Sequence, residues 1–344
     1  MTSHQIWYVG IKDTNTGTCG YGEVAPLPGL SAELDADFDK KLFNTLRQIQ
    51  QVLPKEFSAE DVPLILDKAI PPHLPSLRFG VETALFQLLA HGAFELFPSA
   101  FTMGELPLPI NGLIWMGSKD HMQQQAIAKP EQGFTCVKMK IGAIHWEEEK
   151  SILESLRKQF SADRLIMRVD ANGGIKEENA NQILSDLQSL QVHSIEQPFA
   201  KGNHALTKHY IDRNIVPIAL DEELLGVQGK ERTALIEKLQ PHYLVLKPGL
   251  LGGAHIAREW IDIATSFGAG WWITSALESN VGLNAITQFT ASLKPKMHQG
   301  LGTGALYHNN IPSPLMVSDG HIYYHPERLW GIKQLNALPW QLIN

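Results

Sequence analysis

Leu165-Ile166-Met167-Arg168-Val169-Asp170-Ala171-Asn172-Gly173-Gly174 is a short, largely apolar run that ends in a carboxylate and, just beyond it, two glycines. Related runs stand on either side. Ile195 precedes Glu196, Ile218-Ala219-Leu220 precedes Asp221, and Tyr243-Leu244-Val245-Leu246 precedes Lys247; upstream, Cys136-Val137-Lys138-Met139-Lys140 closes on a lysine. The polar residues Lys140, Asp170, Glu196, Asp221 and Lys247 stand about 25–30 residues apart, the length of one strand, one helix and two loops. Repetition of that unit makes a parallel β/α barrel. Groups at successive strand ends then converge on one rim, where such barrels keep their active sites.

Three carboxylates on one rim suit a hard divalent cation, because with waters and a substrate oxygen they complete the octahedron that Mg²⁺ prefers. Asp221 is followed by Glu222 and Glu223, an acidic cluster that repels itself without a cation. Lys138 and Lys140 are two apart, so on a strand both leave one face while Val137 and Met139 face the surrounding helices. Two ammonium groups driven into one interior repel each other and lose hydration. Their pKa values fall, which offers a neutral lysine base near neutral pH. Asn172 can hold a carboxylate or a substrate by hydrogen bonds, and Pro198 stops the strand just beyond Glu196. Taken singly, a strand-end Asp is most often a helix cap, and Lys-x-Lys is most often a solvated strand. The regular spacing outweighs both explanations.

Residues 1–104 lack the repeat. Ile6-Trp7-Tyr8-Val9 and Gly20-Tyr21-Gly22-Glu23-Val24 read as strands of a hairpin or meander, and Pro26-Leu27-Pro28-Gly29-Leu30 as a turn-rich loop. Helices are expected over 37–52 and 76–93, the second with Leu85, Leu88 and Leu89 on a buried stripe. Leu106-Pro107-Leu108-Pro109 breaks any regular element and marks a boundary. A first barrel strand follows at Ile110 to Met116, and later strands include Gly270 to Thr274 and a short last one near Gly302, about eight in all. After Pro312 the chain, with Ile322-Tyr323-Tyr324, returns to the first domain. The expected organisation is a smaller domain at 1–104, a barrel at 105–311 and a returning segment at 312–344.

Composition narrows the function. The 344 residues are 44% hydrophobic and carry a formal charge of −7, with a mean hydropathy of −0.12. No basic stripe interleaves with aromatics, so nucleic acid is not an expected partner. Cys19 and Cys136 build no disulfide framework and show no zinc spacing. Lys247-Pro248-Gly249-Leu250-Leu251-Gly252-Gly253 is glycine-rich without the GK[ST] of a phosphate loop, and Ser275 lacks a Gly-x-Ser-x-Gly elbow. Met1-Thr2-Ser3-His4-Gln5 shows no basic leader, and no apolar stretch approaches the ~18 residues of a membrane span. A cytoplasmic enzyme without a membrane partner is expected.

At these residues the chain resembles the enolase superfamily, and within it the muconate-lactonising subgroup, through Lys138-x-Lys140, the three carboxylates and Lys247. The resemblance implies an α/β fold, a modified (β/α)7β TIM-like barrel with an α+β capping domain built from both chain ends and a lid loop near 20–31. It implies Mg²⁺, with Mn²⁺ as a substitute, on Asp170, Glu196 and Asp221, and catalytic roles for Lys140, Lys247 and Lys138. The segments Gly20 to Ser31, Ser275 to Gly282 and Gly300 to Gly304 are similar to the lid and the seventh and eighth strand ends of particular subgroup members. Those members are lyases that dehydrate a succinyl-bearing hydroxycyclohexadiene carboxylate for menaquinone biosynthesis. The implied partner is thus a small-molecule carboxylate, bound by Asn172, Ser275, Ala276, Gly302 and Thr303, with backbone N–H groups near Ser275 and Gly302 taking the acidic tail. Dipeptide epimerases of the subgroup carry Asp-x-Asp where this chain has Gly302-Thr303-Gly304, which disfavours them. An N-acylamino-acid racemase or dipeptide epimerase on the same scaffold stays open, as does, more remotely, a non-catalytic metal-binding protein.

Overall fold

The chain begins with an antiparallel hairpin, β1 (Trp7–Lys12) and β2 (Cys19–Val24), in register from Trp7 opposite Val24 to Lys12 opposite Cys19. Its loop closes on Asp13, which accepts from the Asn15 N–H and the Thr16 hydroxyl. The computed structural model describes residues 4–343; Met1–Ser3, part of the opening read for a leader, and Asn344, the last residue of the expected returning segment, lie outside them. Three helices follow: α1 (Phe38–Val52), α2 (Val62–Ala69) and α3 (Pro75–Leu89). α1 buries Phe38, Leu42, Thr45 and Ile49, a stripe of helical period. α3 is buried on nearly every side, whereas Leu88 and Leu89 of the expected stripe are only half-buried. It stops short of residue 93 because His91 and Gly92 take φ values of 53° and 85°, outside the helical region.

β2 lies directly on α3. A Cβ on Gly22 would stand 1.7 Å from the Gly80 carbonyl oxygen, so only glycine permits this approach.

The barrel alternates strand and helix. Its elements are β4 (Gly112–Ile114), α4 (Lys119–Glu131), β5 (Cys136–Lys140), α5 (Trp146–Gln159), β6 (Ile166–Asp170), α6 (Glu177–Ser189), β7 (Ser194–Glu196) and α7 (His204–Arg213). They continue with β8 (Ile218–Leu220), α8 (Lys230–Leu239), β9 (Tyr243–Leu246), α9 (Pro248–Leu251), α10 (Ala254–Ser266), β10 (Gly270–Ile273) and α11 (Asn280–Ser292). The seven strands β4 to β10 lie side by side in chain order, all parallel. The expected last strand near Gly302 falls earlier and is minimal. Gln299 bridges Ile110 and Gly300 bridges Thr274, both parallel, which closes the ring. Thr303–Leu306 is a 3₁₀ turn instead. Val137, Met139, Met167, Val169 and Ile195 are buried in the shell of helices, so the alternate residues of β5, β6 and β7 are left to the barrel interior.

Leu108-Pro109, expected only as a breaker, forms the short strand β3, at the edge of a sheet with β11 (Leu315–Ser318) and β12 (His321–Tyr324). An edge position tolerates proline, which has no N–H for a ladder. Beyond it, α12 (Ile332–Asn336) buries Leu335 in one cluster with Phe94 and Val281. Among the described residues no helix is long and apolar enough to cross a membrane.

Two glutamates tie the N-terminal elements to barrel helices. Glu82 of α3 accepts the N–H groups of Ala254 and His255, at 2.5 and 3.1 Å, in the first turn of α10. Glu23 of β2 accepts those of Ser279 and Gly282, at 2.6 and 2.8 Å, where α11 begins. Each satisfies helix N–H groups that have no partner within their own helix.

Gly22→Ala should force β2 off α3 and lower stability by about 1–3 kcal/mol. Urea denaturation checks it; an unchanged midpoint would show that the hairpin yields freely.

Candidate active site

The strand register assembles the rim. Lys140 pairs with Asp170 across β5 and β6, and Asp170 with Glu196 across β6 and β7. Asp221 and Lys247 each follow the last residue of β8 and β9. The five residues that the spacing singled out, with Lys138, therefore meet at one end of the barrel. Asp170, Glu196 and Asp221 are each only 1% exposed.

Lys138 Nζ lies 3.0 Å from both Glu196 oxygens and 3.3 Å from Asp170 Oδ2. Lys140 Nζ donates to Asp170 Oδ2 at 3.0 Å and to Asn172 Oδ1 at 2.6 Å, and Lys247 Nζ donates to Asp221 Oδ2. Asn172, with a φ of 42°, turns its amide N–H₂ to Glu222 Oε1 at 2.9 Å, so it ties Lys140 to the acidic turn after β8.

Burial lowers the pKa of Lys138 and Lys247, but the surrounding carboxylates outweigh it and the net shift is upward. For Lys138 this corrects the expected depression, since Glu196 and Asp170 lie nearer than the neighbouring ammonium can offset. Burial alone would raise Asp170, yet Lys138, Lys140 and Lys247 hold it well below the usual carboxylate range. Burial pushes Glu196 up to about 8, with Asp170 acting in the same direction.

The carboxylate oxygens turn to these ammonium groups, and among the described residues no three His, Cys, Asp or Glu side chains converge on a point that would hold a metal. The donor chemistry still fits a hard divalent cation. The three groups are carboxylates at adjacent strand ends, and Asp221 Oδ1 is buried without a partner among the described residues.

Ser275 and Thr303 also meet, hydroxyl to hydroxyl at 2.6 Å. The backbone N–H groups near Ser275, expected to take a substrate tail, are already engaged. Ser275 N–H donates to Gly300 O at 2.9 Å and Ala276 N–H to Glu278 Oε2 at 2.6 Å. The two hydroxyls remain as side-chain polar groups of this wall, beside the exposed backbone of Gly302. Leu27, from the loop after β2, packs with Leu225, Leu250 and Ala276 as an apolar cover. A cavity of about 750 Å³ lies beside the rim, between Leu30, Glu33, Arg78, Lys201, Val227 and Leu251, and none of the five rim residues lines it.

Sequence reasoning missed Glu23, Gln197 and Glu278. Only Gln197, next to Glu196, carried a local signal. Glu278 is 1% exposed, and its pKa is pushed up to about 8 by burial first and by the charge of Glu23 second.

Residues 121–331 match the family described as enolase C-terminal domain-like. The chain is 42% identical to the o-succinylbenzoate synthase of Desulfotalea psychrophila, over 93% of this chain and 92% of that one. It is 27% identical to the enzyme of the same name from Thermosynechococcus vestitus, over 73% and 72%. Among solved structures it is similar to MenC from Desulfotalea psychrophila, with a TM-score of 0.81, 40% identity and coverage of 94% and 95%. The muconate lactonizing enzyme from Pseudomonas putida shares the fold, at a TM-score of 0.79 and 20% identity over 97% and 94%.

Glu278 gives a pH signature. Its usual value is 4.5 and its folded value about 8, so across that window the folded state binds the extra proton. Stability therefore falls as pH rises through the window and levels off above it. Glu278→Gln removes this loss. The urea midpoint of the variant should gain on the parent from pH 5 to pH 8 and then run parallel; parallel curves throughout would contradict the shift.

Proposed function

The chain belongs to the enolase superfamily, and we propose that within it the chain acts as an o-succinylbenzoate synthase, a lyase of menaquinone biosynthesis. The observation that carries this reading is the identity with the synthase of Desulfotalea psychrophila along nearly the whole of both chains. The reaction is loss of water from 2-succinyl-6-hydroxy-2,4-cyclohexadiene-1-carboxylate to give 2-succinylbenzoate. We assign it to the cytoplasm, with residues 1–104 and 312–344 as cap and 105–311 as barrel.

Enzymes of this superfamily work with a divalent metal. In this chain Asp170, Glu196 and Asp221 would hold it, with Mg²⁺ the ion that suits such oxygens and Mn²⁺ able to serve. When bound, that ion supplies positive charge beside the ring carboxylate as the neighbouring proton is lost.

Lys140, as the free amine, removes the proton from the carbon that bears the carboxylate. As an ammonium it then protonates the departing hydroxyl, so one residue on one face serves both transfers. Asp170 and Asn172 aim its Nζ. Lys138, bound to Asp170 and Glu196, stays in place as a fixed cation. Lys247 approaches from β9, three strands beyond β6 in the sheet order, and offers its charge to the ring. A cation over a ring in a dry site contributes about 2 kcal/mol. Ser275 and Thr303, with the backbone at Gly302, border the succinyl tail, Ala276 and Leu27 cover the ring, and closure of the lid excludes water.

Lysines approaching from well-separated strands are also what a two-base racemisation needs, and that arrangement keeps N-acylamino-acid racemisation as the second reading. Dipeptides should be poor substrates, since Gly302-Thr303-Gly304 offers no anion for their ammonium group.

The decisive assay follows 2-succinylbenzoate from the cyclohexadiene acid. Turnover should vanish on exhaustive chelation and return with Mg²⁺. A dipeptide or N-acylamino acid processed faster than this substrate would favour the rival. Lys247→Arg keeps the charge but transfers protons poorly, so it should retain at least ~10-fold more dehydration than Lys140→Arg, a difference of about 1.4 kcal/mol. Retained activity in Lys140→Arg would sink the mechanism.

A further inference from the structure

Gln197 follows Glu196 on the rim and has no part in the roles assigned above. It is 1% exposed and has a φ of 38°, a backbone strained for any side chain and kept only where its surroundings fix it. Both ends of its amide are engaged. Oε1 accepts from the N–H of Asp221 at 3.1 Å and from the N–H of Glu223 at 3.2 Å. Nε2 donates to Phe199 O at 2.9 Å and to Glu223 Oε2 at 3.3 Å. Its own N–H donates to Ala219 O at 2.8 Å, and its carbonyl accepts from Gly173 N–H at 2.7 Å. One residue thereby touches the chain just beyond β6, β7 and β8. Glu223 is held from behind by Gly202 N–H at 3.0 Å and His204 Nε2 at 2.8 Å, and the other ring nitrogen of His204 lies 2.9 Å from Lys238 Nζ.

The geometry points to Gln197 as a positioning residue that sets Asp221 relative to Glu196, with Glu223 bracing its amide. This rests on the reading of Glu196 and Asp221 as metal ligands. β8 ends one residue before Asp221, whose backbone (φ −126°, ψ −84°) has left the strand. Its N–H is met by the Gln197 side chain. An amide suits the place because it accepts on one side and donates on the other. A carboxylate would oppose Glu223, and an apolar side chain would leave two buried N–H groups unpaired. Groups that orient ligands from behind typically change metal affinity 10- to 100-fold when lost.

The test titrates Mn²⁺ into the parent, Gln197→Met, Gln197→Asn and Asp221→Asn, by calorimetry, with melting followed on the same samples. Asparagine tolerates a positive φ but is one bond too short to reach both N–H groups, so it removes the brace with the least strain. Both Gln197 variants should fold, bind Mn²⁺ ~10-fold or more weakly, and regain most of their turnover at saturating Mn²⁺ with KM for the organic substrate little changed. Folded Gln197→Asn with the parent's Mn²⁺ affinity overturns the inference. So does failure of both variants to fold, which would make Gln197 a general structural residue. Asp221→Asn separates the two readings: if it binds Mn²⁺ as the parent does, the ligand assignment is at fault rather than the brace.

Discussion

Like charge crowded out of water is the constraint on which this barrel is built. Asp170, Glu196 and Asp221 are each 1% exposed and share one rim. Two unit charges 4 Å apart interact by about 4 kcal/mol at an effective dielectric of 20, whereas an ordinary hydrogen bond returns about 1 kcal/mol net. Neutral donors alone therefore do not suffice, and cations must stand among the carboxylates. Lys138 lies between Asp170 and Glu196, Lys140 on Asp170, and Lys247 on Asp221. The demand reaches outward through the strands. Lys138 and Lys140 can both turn inward only if Val137 and Met139 turn outward, where they join one buried cluster with Ile152, Leu153 and Leu184 of the surrounding helices.

Much of this was legible because strand and site coincide. Five of the seven barrel strands, β5 to β9, are short apolar runs that stop at a charged residue, so the spacing of the charges reported the fold and the candidate site at once. Where an element is too short for a period, the signal fails. Gln299 and Gly300 complete the ring with two bridges and no alternation, and the strand expected near Gly302 was displaced accordingly. α3 misled for another reason. Its periodic leucines were visible, but the hairpin on one flank and the barrel on the other bury almost its whole circumference, a tertiary effect that no local pattern records. Glu23 was the least visible of all. In a strand it looks like a residue turned to water, and its partner Ser279 lies 256 positions away.

The seam between the N-terminal elements and the barrel combines two kinds of contact. Leu27, Leu225, Leu250 and Ala276 form an apolar patch over the rim, which resists water without preferring one alignment. The glutamates supply direction. Glu82 and Glu23 each meet two backbone N–H groups at a helix start, and such bonds weaken steeply when donors and acceptors fall out of line. Burial nevertheless pushes Glu82 up to about 7, so its bonds are made against a cost in hydration.

Those two glutamates also bear on the order in which the molecule can mature. Glu82 precedes Ala254 by 172 positions, and Glu23 precedes Ser279 by 256. The hairpin and α3 leave the ribosome well before the helix starts that they are shaped to meet. Contacts this distant in sequence close slowly, and domains of this size commonly pass through partly assembled states. Until α10 and α11 arrive, the hairpin can pack on α3, but the carboxylates of Glu23 and Glu82 have no helix start to meet. The seam between the N-terminal elements and the barrel is thus completed only after the starts of both barrel helices have been made.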